Sequence, residues 1–322
     1  IEDFRYDMYL ARYGVFRICS NPQISDLIQK DGSIFLQNIY KFKAVIAERI
    51  NKLWHEPHAS FMAGLLYGYR GGLGALNELF SRTGVTHIVA ISGYNITIIS
   101  TILSSALIAF SVPRKKAFHI IVFGIIVFVI FAGLSASVVR AGIMGCIVLL
   151  ARQIGRASRV GNVLLLTAVV MTIHNPLILL WDAGFQLSFI STVGLVYVSP
   201  LFASAFKKIP ETLGLRESME ATVSATVATL PLILFQFKRL SIVAVPVNVL
   251  ILWIIPMLMF LGFAAVILSF IFWPLAHIVA WLAWVGLSYI IIIVKWFASL
   301  SFAAVDLQIT WWGLVTMYLL IF

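Results

Sequence analysis

Long apolar runs alternate with short polar connections from Phe61 to the end of the chain. An α-helix rises 1.5 Å per residue, so about 20 apolar residues cross the hydrocarbon core of a bilayer. The pattern therefore predicts an all-α polytopic membrane protein with about ten transmembrane helices. Their predicted bounds are residues 86–110, 117–134, 138–154, 161–180, 185–206, 219–236, 240–256, 257–273, 277–297 and 307–322.

The chain before Phe61 has a different pattern, in which polar and apolar residues are mixed without long runs. Residues 1–60 carry eight Lys or Arg and seven Asp or Glu, a balance typical of soluble protein. Within them, an amphipathic pattern predicts a connecting helix from about Ser33 to Leu53. We therefore predict a domain boundary at residue 60, between the end of a soluble domain and a membrane domain over residues 61–322.

The membrane domain begins with residues 61–85, where leucines and phenylalanines share the segment with charged and amide side chains. The polar members include Arg70, Asn77, Glu78 and Arg82. An amphipathic helix of this kind lies in the membrane interface with its polar face toward water. We expect residues 61–85 to be interfacial.

Composition excludes a soluble protein, because 61% of the residues are hydrophobic, 11% are charged and the mean hydropathy is +1.01. Most of the net charge of +10 lies in short connections, where the positive-inside rule accounts for it. That rule places the basic connections after odd-numbered predicted helices in the cytoplasm, and the N-terminal segment outside. These connections contain Arg114–Lys116, Arg152–Arg159 and Lys207–Arg216; Lys295 agrees with them, and Lys238 and Arg239 are exceptions.

Both ends of the chain indicate a piece of a longer protein. The first residue is Ile1, and the last four, Leu319 to Phe322, lie inside an apolar run. Two cysteines, Cys19 and Cys146, lie in different surroundings and predict no disulfide.

The six histidines include one close pair, His55 and His58, but Pro57 between them is incompatible with the helical spacing of a zinc protease. No metal site or cofactor is predicted.

Polar residues in the predicted helix 86–110 form a face of their own. At about 100° per residue, His87, Ser92 and Asn95 fall within roughly 140° of one another. Lipid disfavours such a face, so it is expected to meet water or protein. Gly93 lies between these residues, at a place where the helix can break.

Four blocks of the sequence resemble the ComEC-type competence proteins, a polytopic channel family of bacterial DNA uptake. The first block runs from Arg70 to Asn95 and contains the pattern ELFSRTGVTHIVAISGYN. The other three follow in the same order and spacing as in the family, at residues 137–141 (SVVRA), 175–189 (NPLILLWDAGFQLSF) and 246–250 (PVNVL). The family often has Leu and His where this chain has Tyr94 and Asn95, so a second histidine has no counterpart here.

The resemblance implies a channel component, not an enzyme, that takes up single-stranded DNA across the bacterial cytoplasmic membrane during transformation. The implied partners are the transported DNA, membrane lipid, a DNA receptor, a cytoplasmic motor and a second copy of the chain in a homodimer. Residues 1–60 would then be the end of an extracytoplasmic, OB-like domain. Family members often carry a nuclease-like domain of the metallo-β-lactamase type after the membrane part.

Arg140 is the one basic residue that lies well inside a predicted helix, about one turn from its outer end. A charge in the bilayer costs about 2.5 kcal/mol or more, so Arg140 should face a cavity, a partner or water. Two roles stay open: contact with a phosphate near a pore entrance, or a snorkelling arginine that fixes a helix end.

Hydroxyl and amide residues form further stripes on the later helices. Ser188, Ser191, Thr192 and Ser199 recur on one helix, with Gln186 at another angle, and Thr222, Thr226 and Thr229 recur on the next. Such stripes line wet passages, but small hydroxyl residues also let membrane helices pack closely. Asn248, between Pro246 and Pro256, marks a predicted interruption. The candidates for the DNA path are Arg70, Arg82, His87, Ser92, Gly93, Asn95, Arg140, Gln186, Ser188, Thr222, Thr226, Thr229 and Asn248.

Two other function classes compete with the channel. An ion-coupled small-molecule permease also has broken helices, but it usually needs an acidic residue in mid-membrane, and Asp182, Glu220 and Asp306 lie at predicted helix ends. An intramembrane enzyme would use His87, Ser92 and Asn95. On a continuous helix, His87 and Ser92 are about 7.5 Å apart along the axis, too far for a nucleophile and its base.

Overall fold

The computed structural model describes residues 5–17, 19, 33–69, 71–89, 93–202, 206–207 and 215–321. Helices make up nearly all of its regular structure. In chain order they are α1 Tyr6–Ala11, α2 Ile34–Leu53, α3 His58–Tyr67, α4 Ala75–Arg82, α5 Gly93–Ala109, α6 Arg114–Phe131, α7 Ala136–Gln153, α8 Val160–His174, α9 Ile178–Trp181, α10 Ala183–Val193, α11 Ser199–Phe202, α12 Leu215–Phe237, α13 Ala244–Ile251, α14 Ile255–Ile271, α15 Trp273–Ala298 and α16 Trp311–Ile321.

Within the described ranges, five helical stretches are long and apolar enough to cross a membrane. They are Ala136–Gln153, Ala183–Phe202, Met219–Phe237, Ala244–Ile271 and Trp273–Ala298. The second stretch is continuous because a π-helical segment, Gly194–Val198, joins α10 to α11. Three shorter apolar helices accompany them: Asn95–Ala109, Val160–His174 and Trp311–Ile321. The all-α membrane architecture is confirmed, whereas the predicted number of about ten crossings is not.

One difference from the prediction changes the topology. The structure joins α13 and α14 through the short 3-10 segment Leu252–Ile254, so residues 244–271 form one stretch of 28 residues. The predicted division into helices 240–256 and 257–273 is therefore wrong. Pro256, which indicated a break, lies in the first turn of α14, where the missing N–H costs little.

A small antiparallel hairpin supports the revised topology. Strand β1 (Arg239–Ser241) follows α12, and β2 (Ala304–Asp306) follows α15; Arg239 pairs with Asp306 in the register. The connections after α12 and α15 therefore lie at the same end of the bundle. Lys295, in the last turn of α15, is near this end with Lys238 and Arg239, so its predicted agreement with the cytoplasmic connections does not hold.

The largest core surrounds α3. All residues from Ala59 to Tyr67 are buried, and α3 packs on α14 and α15. Gly262 of α14 makes this packing possible, because a Cβ atom there would lie 2.4 Å from Met62 Sδ. Helix α2, observed at almost the bounds predicted from the sequence, contacts the same core, where Trp54 Nε1 donates to the Ala280 carbonyl at 2.9 Å.

The predicted interfacial segment, residues 61–85, contains two helices of different character. The α3 part lies inside the protein, whereas α4 buries Leu76 and Phe80 and leaves Asn77 and Glu78 exposed. The position of α4 at the outer leaflet stays a prediction.

Candidate functional site

Arg140 lies in α7 and reaches across to α10. Its Nη1 donates to the Thr192 hydroxyl, which itself donates to the Ser188 carbonyl at 2.9 Å. The guanidinium carbon lies 5.8 Å from the centroid of the Phe189 ring, a cation–π distance. Arg140 thus meets two residues of the predicted hydroxyl stripe, Ser188 and Thr192, at one place.

The charge of Arg140 is not neutralised inside this site. Among the ion pairs of the described residues, none includes Arg140, and its Nε is buried without a hydrogen-bond partner. An arginine within an apolar helix of spanning length needs water or an anion nearby. An anionic group that reached Arg140 would supply the missing counter-charge.

Gln186 lies one turn after the start of α10 and links three segments. Its side chain bonds to the Gln236 amide of α12, and its Nε2 donates to the carbonyls of Leu179 and Leu180 at 2.8 and 3.1 Å. Asp182 caps the same helix, since its Oδ1 accepts from the Phe185 N–H at 2.9 Å. These bonds fix the helix end from which Gln186 and Ser188 extend.

The hydroxyl stripe of α12 lies where that helix packs closely. Thr222 and Thr229 are buried, and Thr226 is half-buried. Thr229 Oγ1 donates to the Ala225 carbonyl at 2.7 Å, whereas Thr222 Oγ1 is buried without a partner. The sequence left two roles open for the hydroxyl stripes, lining a wet passage or allowing close helix packing. Close helix packing accounts for much of the stripe on α12.

Two asparagines are also interior residues. Asn95 Nδ2 donates to the Leu65 carbonyl at 3.0 Å and so attaches α5 to α3. Asn248 of α13 is 3% exposed, and its Oδ1 has no hydrogen-bond partner. A buried polar atom without a partner costs about 1–3 kcal/mol. The side-chain oxygen of Asn248 is therefore, like Arg140 Nε, an atom to which water or a ligand could bond.

The arrangement predicted for His87, Ser92 and Asn95 on one helical face is wrong. His87 lies in the 3-10 turn Thr86–Ile88 and Asn95 lies in α5, so these two residues do not share one continuous α-helix. The left-handed φ of +70° at Gly84 already turns the chain before His87. Ser92 and Arg70 lie outside the described residues.

His87 is exposed at the surface, beside the Gly84 turn. Partial desolvation of the imidazole by neighbouring protein lowers the pKa of His87 below the ordinary value of 6.5, while a hydrogen bond with the Gly84 backbone has the opposite effect. The neutral form of His87 therefore predominates at pH 7.

Arg82 belongs to a separate cluster at the hairpin end of the bundle. Its Nη2 donates to the Leu300 carbonyl at 3.4 Å, and Ser241 Oγ donates to the Arg82 carbonyl at 2.9 Å. Arg239 pairs nearby with Glu78 and Asp306 at 3.0 and 3.2 Å. This cluster attaches α4 to the hairpin.

A groove between α5 and α14 was not among the predicted sites. Its volume is about 560 Å³, and its polar lining comes from Thr97, Thr101 and Ser105 of α5, opposite Pro256 and Phe260 of α14. The i, i+4, i+8 spacing of the three hydroxyl residues was visible in the sequence. The residues predicted as candidates on this helix lie in its N-terminal part, so the stripe was not predicted.

The acidic residues considered for a permease all have basic partners. Asp182 pairs with Arg12 at 2.7 Å, Glu220 with Arg216 at 2.9 Å, and Asp306 with Arg239. These three carboxylates are therefore engaged, which weakens the ion-coupled hypothesis.

Comparison with known proteins identifies relatives of the chain. Residues 65–322 match the family described as Competence protein. The chain is similar to ComE operon protein 3 of Bacillus subtilis (strain 168), with 26% identity over 248 residues, which cover 77% of this chain and 31% of the relative. The aligned part thus spans about a third of that relative's length, and no solved structure matches. Because the family match covers most of the sequence and agrees with the four blocks, the chain belongs to the Competence protein family, as its resemblance to ComEC-type proteins predicts.

Proposed function

We propose that this protein forms the membrane part of the route by which DNA, as a single strand, enters the cytoplasm during natural transformation. Family membership and the similarity to ComE operon protein 3 support this function. The membrane would be the bacterial cytoplasmic membrane, with the N-terminal segment outside.

Arg140 carries the structural part of the proposal. It is a cation in an apolar helix, bonded to a hydroxyl and placed over an aromatic ring, and no described carboxylate pairs with it. A DNA phosphate supplies the missing negative charge, and the Phe189 ring offers a face to a base. A single arginine suits transport, because each additional tight phosphate contact would raise the affinity and slow release.

Polar atoms on other helices also support a hydrated route. Thr222 Oγ1 and Asn248 Oδ1 are buried without partners, and the hydroxyl groups of Thr97, Thr101 and Ser105 line the open groove on α5. Buried polar groups of this kind usually bind ordered water. We include the groove in the proposed path, together with Gln186, Ser188 and the interior asparagines.

Transport also requires partners that capture and pull the DNA. The sequence contains no GxxxxGK[ST] loop for nucleotide phosphates, so we assign the driving force to a cytoplasmic motor protein and the capture to a receptor outside. A homodimer is the arrangement in which the hydroxyl face of α5 would be covered by a second copy.

The test measures internalisation of labelled DNA by cells that lack the gene and are complemented with the full-length protein. Arg140→Met should reduce uptake at least tenfold at normal protein abundance, with surface binding retained. Arg152→Gln is the control, because Arg152 is exposed in the last turn of the same helix. Single-stranded and double-stranded DNA would be compared in parallel. Normal transformation by Arg140→Met would refute the assigned role of this arginine, and failure of the wild-type gene to restore uptake would refute the function.

A further inference from the structure

Helix α1, near the N-terminus, is attached to the membrane bundle through Arg12. Arg12 Nη1 lies 2.7 Å from Asp182 Oδ2, and the two side chains are only 8% and 13% exposed. The same nitrogen donates to the Trp181 carbonyl at 3.3 Å. This is a buried ion pair between segments separated by about half of the chain.

Neighbouring residues hold both the side chain and the backbone of Arg12. The guanidinium carbon lies 4.3 Å from the ring centroid of Tyr9 and 4.6 Å from that of Tyr13, so the cation contacts two aromatic rings, whose planes are inclined at 74° to each other. In return, Asn175 Nδ2 donates to the Arg12 carbonyl at 2.8 Å. Both Asn175 and Asp182 come from the segment that contains α9, between α8 and α10.

Asp182 uses its two oxygens for different purposes. Oδ2 pairs with Arg12, while Oδ1 accepts from the Phe185 N–H and caps α10. Helix α10 then carries Gln186, Phe189 and Thr192, the last two of which contact Arg140. A displacement of α1 therefore acts directly on the first turn of the helix that forms one wall of the Arg140 site.

We propose that the Arg12–Asp182 pair is a joint that holds the N-terminal segment on the bundle and positions α10 for transport. Arg12 and Asp182 are positioning residues in this proposal, since neither contacts the transported strand. The expected effect of the pair on DNA uptake rests on the proposed function. The docking of α1 is a separate statement that can be measured without DNA.

Three substitutions distinguish loss of the Arg12–Asp182 ion pair from loss of the α10 cap. Asp182→Asn keeps an oxygen that can cap α10 but removes the charge, and Arg12→Ala removes the partner without touching the cap. Asp182→Ala removes the ion pair and the cap together. Glu220→Gln is the matched control, because Glu220 forms a partly buried ion pair with Arg216 within α12.

Docking is measured by limited trypsin digestion of membranes, as the ratio of cleavage after Arg12 to cleavage after Arg17. Trypsin must bind the arginine side chain, which is buried at Arg12 and exposed at Arg17. Asp182→Asn should raise this ratio about tenfold, as expected when a buried pair loses one member, and Glu220→Gln should leave it unchanged. An unchanged ratio in Asp182→Asn would overturn the docking.

Positioning is measured by DNA uptake of the same variants. Arg12→Ala and Asp182→Asn should each reduce uptake about tenfold, the double variant should be no worse than either single one, and Asp182→Ala should be worse than Asp182→Asn. A raised cleavage ratio with normal uptake would overturn the positioning role. If wild-type protein restored no uptake, the proposed function would fail, whereas the cleavage ratio would still decide the docking.

Discussion

The core around α3 and the region between α7, α10 and α12 are both built of apolar helices, yet the polar groups in the two regions differ in how many find hydrogen-bond partners. In the α3 core, Trp54 donates to a carbonyl of α15, His58 bonds to Ser288 Oγ at 2.9 Å, and the Ser60 hydroxyl donates to Glu56 at 2.6 Å. Among the described buried side-chain atoms that lack a partner, none belongs to α3, α14 or α15.

The second region contains several of the unpartnered atoms, including Arg140 Nε, Thr222 Oγ1 and Ser224 Oγ. Each such atom costs about 1–3 kcal/mol if nothing else satisfies it. A protein tolerates this cost where water or a ligand completes the bonds. The difference is the reason that we propose the α3 core as the scaffold and the α7–α10–α12 region as the part that receives a polar molecule.

The strongest test of the scaffold is Phe61→Ala. Phe61 is fully buried and contacts Phe80 at a centroid distance of 5.2 Å, so its truncation should cost about 3–5 kcal/mol. We expect a large loss of folded protein in membranes, measured by quantitative immunoblotting and by thermal unfolding in detergent. Phe260→Ala is the control, since Phe260 is 61% exposed. Normal abundance of Phe61→Ala would show that the α3 core is not the scaffold.

A smaller effect is expected for Thr192→Val, which removes the hydroxyl that accepts from Arg140. A hydrogen bond to a charged group contributes about 1.5–3 kcal/mol, so the single variant should be destabilised by that amount. In the double variant with Arg140→Met, most of the loss should disappear, because no cation is left without a partner. Additive losses in thermal unfolding would show that the two side chains are not coupled.

Filling the α5 groove should affect transport more than stability. Thr101 is exposed in the groove, so Thr101→Leu should change the free energy of unfolding by less than about 0.5 kcal/mol while reducing DNA uptake several-fold. Ile108→Leu on the same helix is the control, because Ile108 is 73% exposed and does not line the groove. Equal uptake by the two variants would exclude the groove from the path.

The smallest expected effect concerns pH and His87. Its pKa in the folded protein lies below 6.5, so the unfolded chain binds the proton first as the pH falls. His87 therefore lowers stability below about pH 6.5, and this loss should be smaller in His87→Gln. Thermal unfolding at pH 7.5 and 5.5 measures the difference, and an identical pH dependence in both proteins would contradict the lowered pKa.

The sequence predicted those features that depend on neighbouring residues. The apolar runs indicated the helical membrane architecture, and the amphipathic pattern of residues 33–53 placed α2 almost at its observed bounds. Arg140 stood out because a lone cation in an apolar run is unusual wherever the helix packs. The ordered blocks from Arg70 to Leu250 indicated the family, which the comparisons confirm.

The sequence did not predict where the chain bends or what distant residues meet. From the sequence, Pro256 was compatible with a break between two membrane helices. In the structure it lies in the first turn of α14, and residues 244–271 form one stretch. The pairing of Arg239 with Asp306 in the hairpin then decides which end of the bundle Lys295 occupies. No local pattern indicates such pairings, because they depend on the packing of whole helices.

Hydropathy is a sum over adjacent residues, so the sequence alone determined that this is a helical membrane protein with a cation inside one helix, and its four ordered blocks indicated the Competence protein family. The tertiary structure decided which polar atoms are satisfied, because the partner of each atom comes from another helix. It joined Arg12 to Asp182 and Arg140 to Thr192, and it left Thr222 and Asn248 buried with polar atoms lacking partners.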